Sequence, residues 1–96
     1  MHKFLIHNEG DDVGIATEDI NRGDQVTGVY MDTEETITLQ ARGDIPLGHK
    51  IALSDIAKGG EVTEYRVTIG LAREPIAAGD YVHVHNIRSA RWSFDG

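Results

Sequence analysis

The chain has 96 residues, a formal charge of −7 from 16 acidic and 9 basic side chains, 40% hydrophobic residues and no cysteine. That length builds one domain, and the aliphatic composition builds a core of Ile, Val, Leu and Ala. The charge disfavours nucleic acid and anionic membrane surfaces as partners, and zero cysteines exclude disulfide scaffolds and thiolate metal sites, in keeping with a cytoplasmic protein.

Taken in chain order, the apolar pattern alternates with a period of two: Phe4/Ile6, Val13/Ile15, Ile37/Leu39, Ile51/Leu53, Ile69/Leu71 and Val82/Val84. This predicts about seven short strands. The first two flank "HNEGDDV", where Asp11 and Asp12 sit in a cluster whose first reading is a turn, with metal ligation or a sugar hydroxyl as the functional alternative. No apolar run in residues 1–30 is long enough for a signal peptide or a membrane span. The only helix candidate is about one turn near Ser54 to Lys58.

Between the strands the spacing Ile-x-x-Gly-x-x-Val/Ile occurs four times: Ile20/Gly23/Val26, Ile45/Gly48/Ile51, Ile56/Gly59/Val62 and Ile76/Gly79/Val82. Asp19, Asp44 and Asp55 precede three copies and Pro75 the fourth, so each copy reads as a turn initiator, an apolar anchor, a glycine able to take positive φ, and a strand entry. The copies are spaced too irregularly for a solenoid. The whole predicts an all-β, barrel-like or clip-like fold with long connections and little helix.

Two stretches carry the side chains most able to do chemistry. In "GHKIAL", His49 and Lys50 follow a glycine at a loop-to-strand junction, a combination suited to a carboxylate ligand, although an exposed polar pair is the plainer reading. In "YVHVHN", a continuous strand would put His83 and His85 on one face roughly 6.5 Å apart. Such a pair can chelate a divalent ion if a third ligand arrives, with His49, His7, Asp11 and Asp12 as candidates; alternatively both imidazoles simply face water. Residues 1–87 are expected to form the domain and 88–96 a tail, in which Arg88, Arg91, Trp92 and Phe94 have the chemistry of an interface anchor. No P-loop, dinucleotide fingerprint or nucleophile motif is present, which argues against a self-contained nucleotide enzyme.

The segments "IHNEGDDVGIAT", "DIPLGHKIALSDIAKGGEV" and "TIGLAREPIAAGDYVHVHN" resemble the amino-terminal domain of the altronate and galactarate dehydratases, and equally the small subunit of the related sulfolactate sulfo-lyase. The resemblance covers nearly residues 3–87, and its strongest part is the ordered set Gly48-His49-Lys50, Ile69-Gly70 and His83-Val84-His85-Asn86. It implies a β-clip (SAF-like) small barrel of the kind also seen in antifreeze-like domains. It also implies a role in a lyase that eliminates water or sulfite from a hydroxy acid, with ferrous iron serving the assembled enzyme and most of the machinery, metal site included, on a larger catalytic domain or subunit. On that basis His49, Lys50, His83, His85 and Asn86 are expected to form one site for a small anionic hydroxy acid, with Asn86 bonding its oxygens and Lys50 neutralising its charge; no complete metal site is assigned to this chain. A stand-alone β-clip module that binds an acid or sugar without catalysis is the competing reading, and a self-sufficient metal hydrolase a third. At Glu64-Tyr65-Arg66 the chain departs from the family's usual Lys-Tyr-Gly, so the turn there is expected to be rebuilt.

Overall fold

The structure, a computed structural model, describes residues 2–89. Those residues form nine strands: β1 (Phe4–Ile6), β2 (Val13–Ala16), β3 (Gln25–Tyr30), β4 (Thr36–Gln40), β5 (Lys50–Ala52), β6 (Glu61–Glu64), β7 (Val67–Ala72), β8 (Tyr81–Val82) and β9 (Ile87–Ser89). They make a six-stranded sheet in the order β4-β3-β1-β2-β5-β8 and a three-stranded sheet in the order β6-β7-β9. The fold is all-β, as the alternating pattern predicts, and among the described residues no helix is long and apolar enough to cross a membrane.

Two apolar clusters lie on opposite sides of a shared wall. One gathers Phe4, Ile6, Ile20, Val26, Ile45 and Ile51; the other gathers Val13, Ala52, Ile56, Val62, Ile76 and Val82. Strand alternation explains the division, because Ile51 and Ala52 are neighbours in β5 and point to opposite faces. Each fully buried Ile, Val or Phe contributes roughly 1.5–3 kcal/mol relative to exposure, and this is what holds a chain with so few aromatic residues together. Where β1 crosses β3, a Cβ at Gly28 would overlap the Phe4 ring, so that position admits only glycine.

The four-fold spacing has a structural meaning larger than turn chemistry. Ile20 bridges Ile45, and Ile56 bridges Ile76, so the copies associate in two pairs. Within each pair the glycine amide of one copy donates to an alanine carbonyl four residues ahead of the other copy's isoleucine. Gly23 donates to Ala41, Gly48 to Ala16, Gly59 to Ala72 and Gly79 to Ala52, each at 2.8 Å. All four alanines are buried, and the four glycines have φ between 83° and 92°, which L side chains adopt only with strain. The unit is therefore Ala-x-x-x-Ile-x-x-Gly, and the alanine was available in the sequence as a constant offset.

Two sequence expectations change. Ser54 to Lys58 is not helical, since Ile56 exchanges both backbone hydrogen bonds with Ile76, at 2.7 and 2.8 Å, and is held extended. Arg88 and Ser89, expected at the start of the tail, belong with Ile87 to β9, which pairs antiparallel with β7 from Gly70↔Ser89 to Ala72↔Ile87. Three residues are too few to show a period, and the strand exists because β7 offers it a partner. Arg91, Trp92 and Phe94 lie outside the described residues.

Candidate functional site

β8 is only two residues long, because its partner β5 begins at Lys50 and nothing remains for His83 to pair with. The expected strand-borne pair is thus a turn: the amides of Asn86 and Ile87 both donate to the His83 carbonyl at 3.0 Å. Asn86 fixes this turn with its side chain. Its Oδ1 accepts the His83 amide proton at 2.9 Å and its Nδ2 donates to the Tyr81 carbonyl at 2.7 Å. It is 4% exposed, so Asn86 shapes the loop and does not present its amide to a ligand, contrary to the role expected for it.

The loop leaves His83 and His85 exposed around the ring of Tyr81. Tyr81 and His83 stack with centroids 5.6 Å apart and planes 7° from parallel, while the His85 ring lies 5.5 Å from Tyr81 on a tilted approach. His49 joins them from the loop before β5. Its ring is 5.4 Å from that of His83, and its Nδ1 is 2.6 Å from the Tyr81 hydroxyl, a short hydrogen bond. Three histidines from two separated motifs therefore converge on one tyrosine. Tyr81 was not singled out from the sequence, although it stands two residues before His83 on the same strand register, a signal that spacing alone could have supplied.

Lys50 does not join this group. As the next residue after His49 on an extended chain it points to the opposite face, where its Nζ lies 3.9 Å from Glu64. Glu64 is buried, and burial raises its carboxyl above the ordinary range; Lys50 and His7 oppose that shift and Asp11 adds to it. His7 stacks on Tyr65 at 3.9 Å, so this second cluster of His7, Lys50, Glu64 and Tyr65 stands apart from the three histidines.

Asp11 and Asp12 are absorbed by architecture. Tyr65 and Arg66 form the two-residue link between β6 and β7, both with positive φ (56° and 63°), and the buried Asp11 carboxylate accepts their amide protons at 3.0 and 3.1 Å. Asp12 accepts the Thr63 amide proton at 2.8 Å. This is the rebuilt turn: Arg66 stands in a left-handed conformation where a glycine would sit without strain.

Among the described residues no three His, Asp or Glu side chains are placed to hold one metal ion. His49 has one ring nitrogen engaged by Tyr81, and the aspartates offered as third ligands are bonded to backbone amides. These residues do not fit an iron site. What the histidine group can do is donate and accept protons toward an anion at the protein surface, with imidazoles held in position by aromatic contacts and one hydroxyl.

Comparison with known proteins agrees with this architecture. The chain is 38% identical over 90 residues to the (2R)-sulfolactate sulfo-lyase subunit alpha of Chromohalobacter salexigens, covering 93% of this chain and 96% of that protein. It is 47% identical over 79 residues to the altronate dehydratase of Escherichia coli and 30% identical over 89 residues to that of Bacillus subtilis, and it spans only 15% and 17% of their lengths. The sequence model of the altronate/galactarate dehydratase SAF domain matches residues 2–90. The chain with its paired Ala-x-x-x-Ile-x-x-Gly turns and its Tyr81-centred histidines therefore belongs to the altronate/galactarate dehydratase SAF-domain family.

Proposed function

We propose that this chain is the small subunit of a two-component hydroxy-acid lyase of the cytoplasm, acting beside a larger catalytic subunit on a sugar acid or sulfolactate-type substrate. Support for the subunit reading is the near-complete coverage of a protein named as a lyase subunit alpha, set against a small fraction of the single-chain dehydratases. The observation that carries the role is the convergence of His49, His83 and His85 on Tyr81 at one exposed edge.

In such a lyase a proton leaves the carbon next to a carboxylate and water or sulfite departs from the neighbouring carbon. The substrate carboxylate needs donors that hold it in place while charge develops. With His49 neutral, a Tyr81 hydroxyl that donates to Nδ1 leaves the ring proton on Nε2, making the outer edge of the ring a fixed donor. His83, stacked on Tyr81, and His85 beside it present further imidazole nitrogens to the same anion. Ferrous iron, which the assembled enzyme would use, belongs in this reading to the larger subunit.

Reconstitution tests this. The purified chain alone, supplied with ferrous iron, is expected to turn over neither altronate, galactarate nor sulfolactate, and the chain mixed with its larger subunit to turn over one of them. Loss of that activity in His49→Ala and His83→Ala, with the complex still forming, supports the site. Turnover by the isolated chain would overturn the subunit reading, and full activity in both variants would overturn the histidine assignment.

A further inference from the structure

Beside the histidine loop, lined by Val84 but by neither His83 nor His85, runs a groove of about 990 Å³ between β7, β9 and the turn at Lys58–Gly59. Its walls are mainly apolar and include Ile69, Leu71, Val84 and Ile87. Lys58, Arg73 and Arg88 also line it, and among the described lining residues there is no carboxylate. That is three of the nine basic residues of a chain with net charge −7, gathered around one depression.

We infer that this groove receives an acidic segment of the larger subunit that carries apolar side chains, an inference that rests on the subunit reading above. Charge selects the partner: on a strongly acidic protein a cationic, carboxylate-free groove is the place where another acidic chain meets attraction instead of repulsion. The walls select its type. A small polyhydroxylated acid offers almost no apolar surface to Ile69 and Leu71, whereas Leu, Phe or Met side chains between carboxylates satisfy both the floor and the cations. β9 ends the three-stranded sheet among the described strands, so an extended segment has a backbone edge to follow.

The groove is joined to the proposed substrate site through one loop. Val84 is 64% exposed and lines the groove, while its neighbours His83 and His85 surround Tyr81, and Arg73 donates from Nη1 to the Val84 carbonyl at 3.1 Å. A segment seated against Val84 therefore bears on the loop that positions both imidazoles.

Titration calorimetry of the full-length chain with its purified larger subunit tests this. Lys58→Glu combined with Arg88→Glu should weaken association by about tenfold or more, while Arg22→Glu, outside the groove, should change it by less than about twofold. Wild-type affinity should also fall as salt rises from roughly 50 to 300 mM, as screening requires. If the double reversal binds like wild type, or Arg22→Glu weakens binding as much, the groove is not the docking surface even though the subunit reading stands. If the double reversal lowers the melting temperature and leaves association unchanged, the chain's own residues fill the groove and the inference falls. If the wild-type chain forms no complex, the subunit reading itself fails and takes this inference with it.

Discussion

Asp19 and Asp44 hold each other's turns: the Asp19 carboxylate accepts the Leu47 amide proton at 2.8 Å, and the Asp44 carboxylate accepts the Arg22 amide proton at 2.8 Å. Together with the Ile20–Ile45 bridge, this makes the first pair of turns a closed reciprocal unit. Asp55 plays the same part toward Ala78 in the second pair, but Pro75 stands where its counterpart would be and has no side-chain acceptor to return the bond.

Asp19→Ala and Asp44→Ala should each destabilise the fold by about 1 kcal/mol, since each removes one carboxylate–amide bond at an exposed position. Because both bonds secure one unit, the double variant should lose less than the sum by roughly 0.5 kcal/mol. Urea denaturation of the four proteins measures the coupling, and strictly additive losses would show that the two turns are independent.

Arg66→Gly should stabilise the protein by about 1 kcal/mol, because a left-handed residue with a Cβ is replaced by one without that penalty. Tyr65→Gly relieves the same conformation but strips the ring that stacks on His7, so its gain should be smaller or absent. Thermal melts of both variants decide the matter; a destabilised Arg66→Gly would mean that the arginine side chain contributes more than its backbone conformation costs.

Glu64 makes stability depend on pH in a defined direction. Its carboxyl is raised by burial, so the folded chain holds that proton more tightly than the unfolded chain does. The stabilisation from this group is full below the unfolded value and is lost as pH rises through the raised folded value. Glu64→Gln should therefore gain in melting temperature relative to wild type on going from about pH 4 to about pH 7.5. A difference that stays flat across that range would mean that Lys50 and His7 fully offset the burial.

Asn86→Ala should cost about 1–2 kcal/mol, the penalty for losing two part-buried bonds to the His83 amide and the Tyr81 carbonyl. It should also release His83 and His85 from the Tyr81 ring, visible as a change in the chemical shifts of both imidazole protons. Unchanged shifts would place the burden of shaping the loop on its backbone bonds alone.

The all-β class and the recurring turns were readable because both are written locally, in period-two alternation and in glycines at fixed offsets from isoleucine. The pairing of those turns was not, since it depends on which alanine carbonyl each glycine amide meets across the fold. His49 and His83 come together as the motif reading expected, yet the strand that was to carry His83 and His85 stops at Val82 for want of a partner on β5. Lys50 was separable from His49 by alternation alone. Asn86 reads as a ligand-binding amide until its two bonds within the turn are seen.

β1 and β3 form the one parallel pair among the described strands: β1 pairs antiparallel with β2 and parallel with β3, through Phe4↔Gly28 to Ile6↔Tyr30. Among the described strands, these three residues are the ladder that joins the β3–β4 hairpin to the β2–β5–β8 group within the larger sheet. During synthesis that seam cannot close when its own residues emerge, but must wait for Gln25–Tyr30 to arrive, and the closing loop carries an entropic cost that the β3–β4 hairpin does not bear. The larger sheet is consequently two halves awaiting a keystone. A peptide spanning residues 1–8, supplied in trans to a chain that begins at residue 9, would be the natural agent to join them.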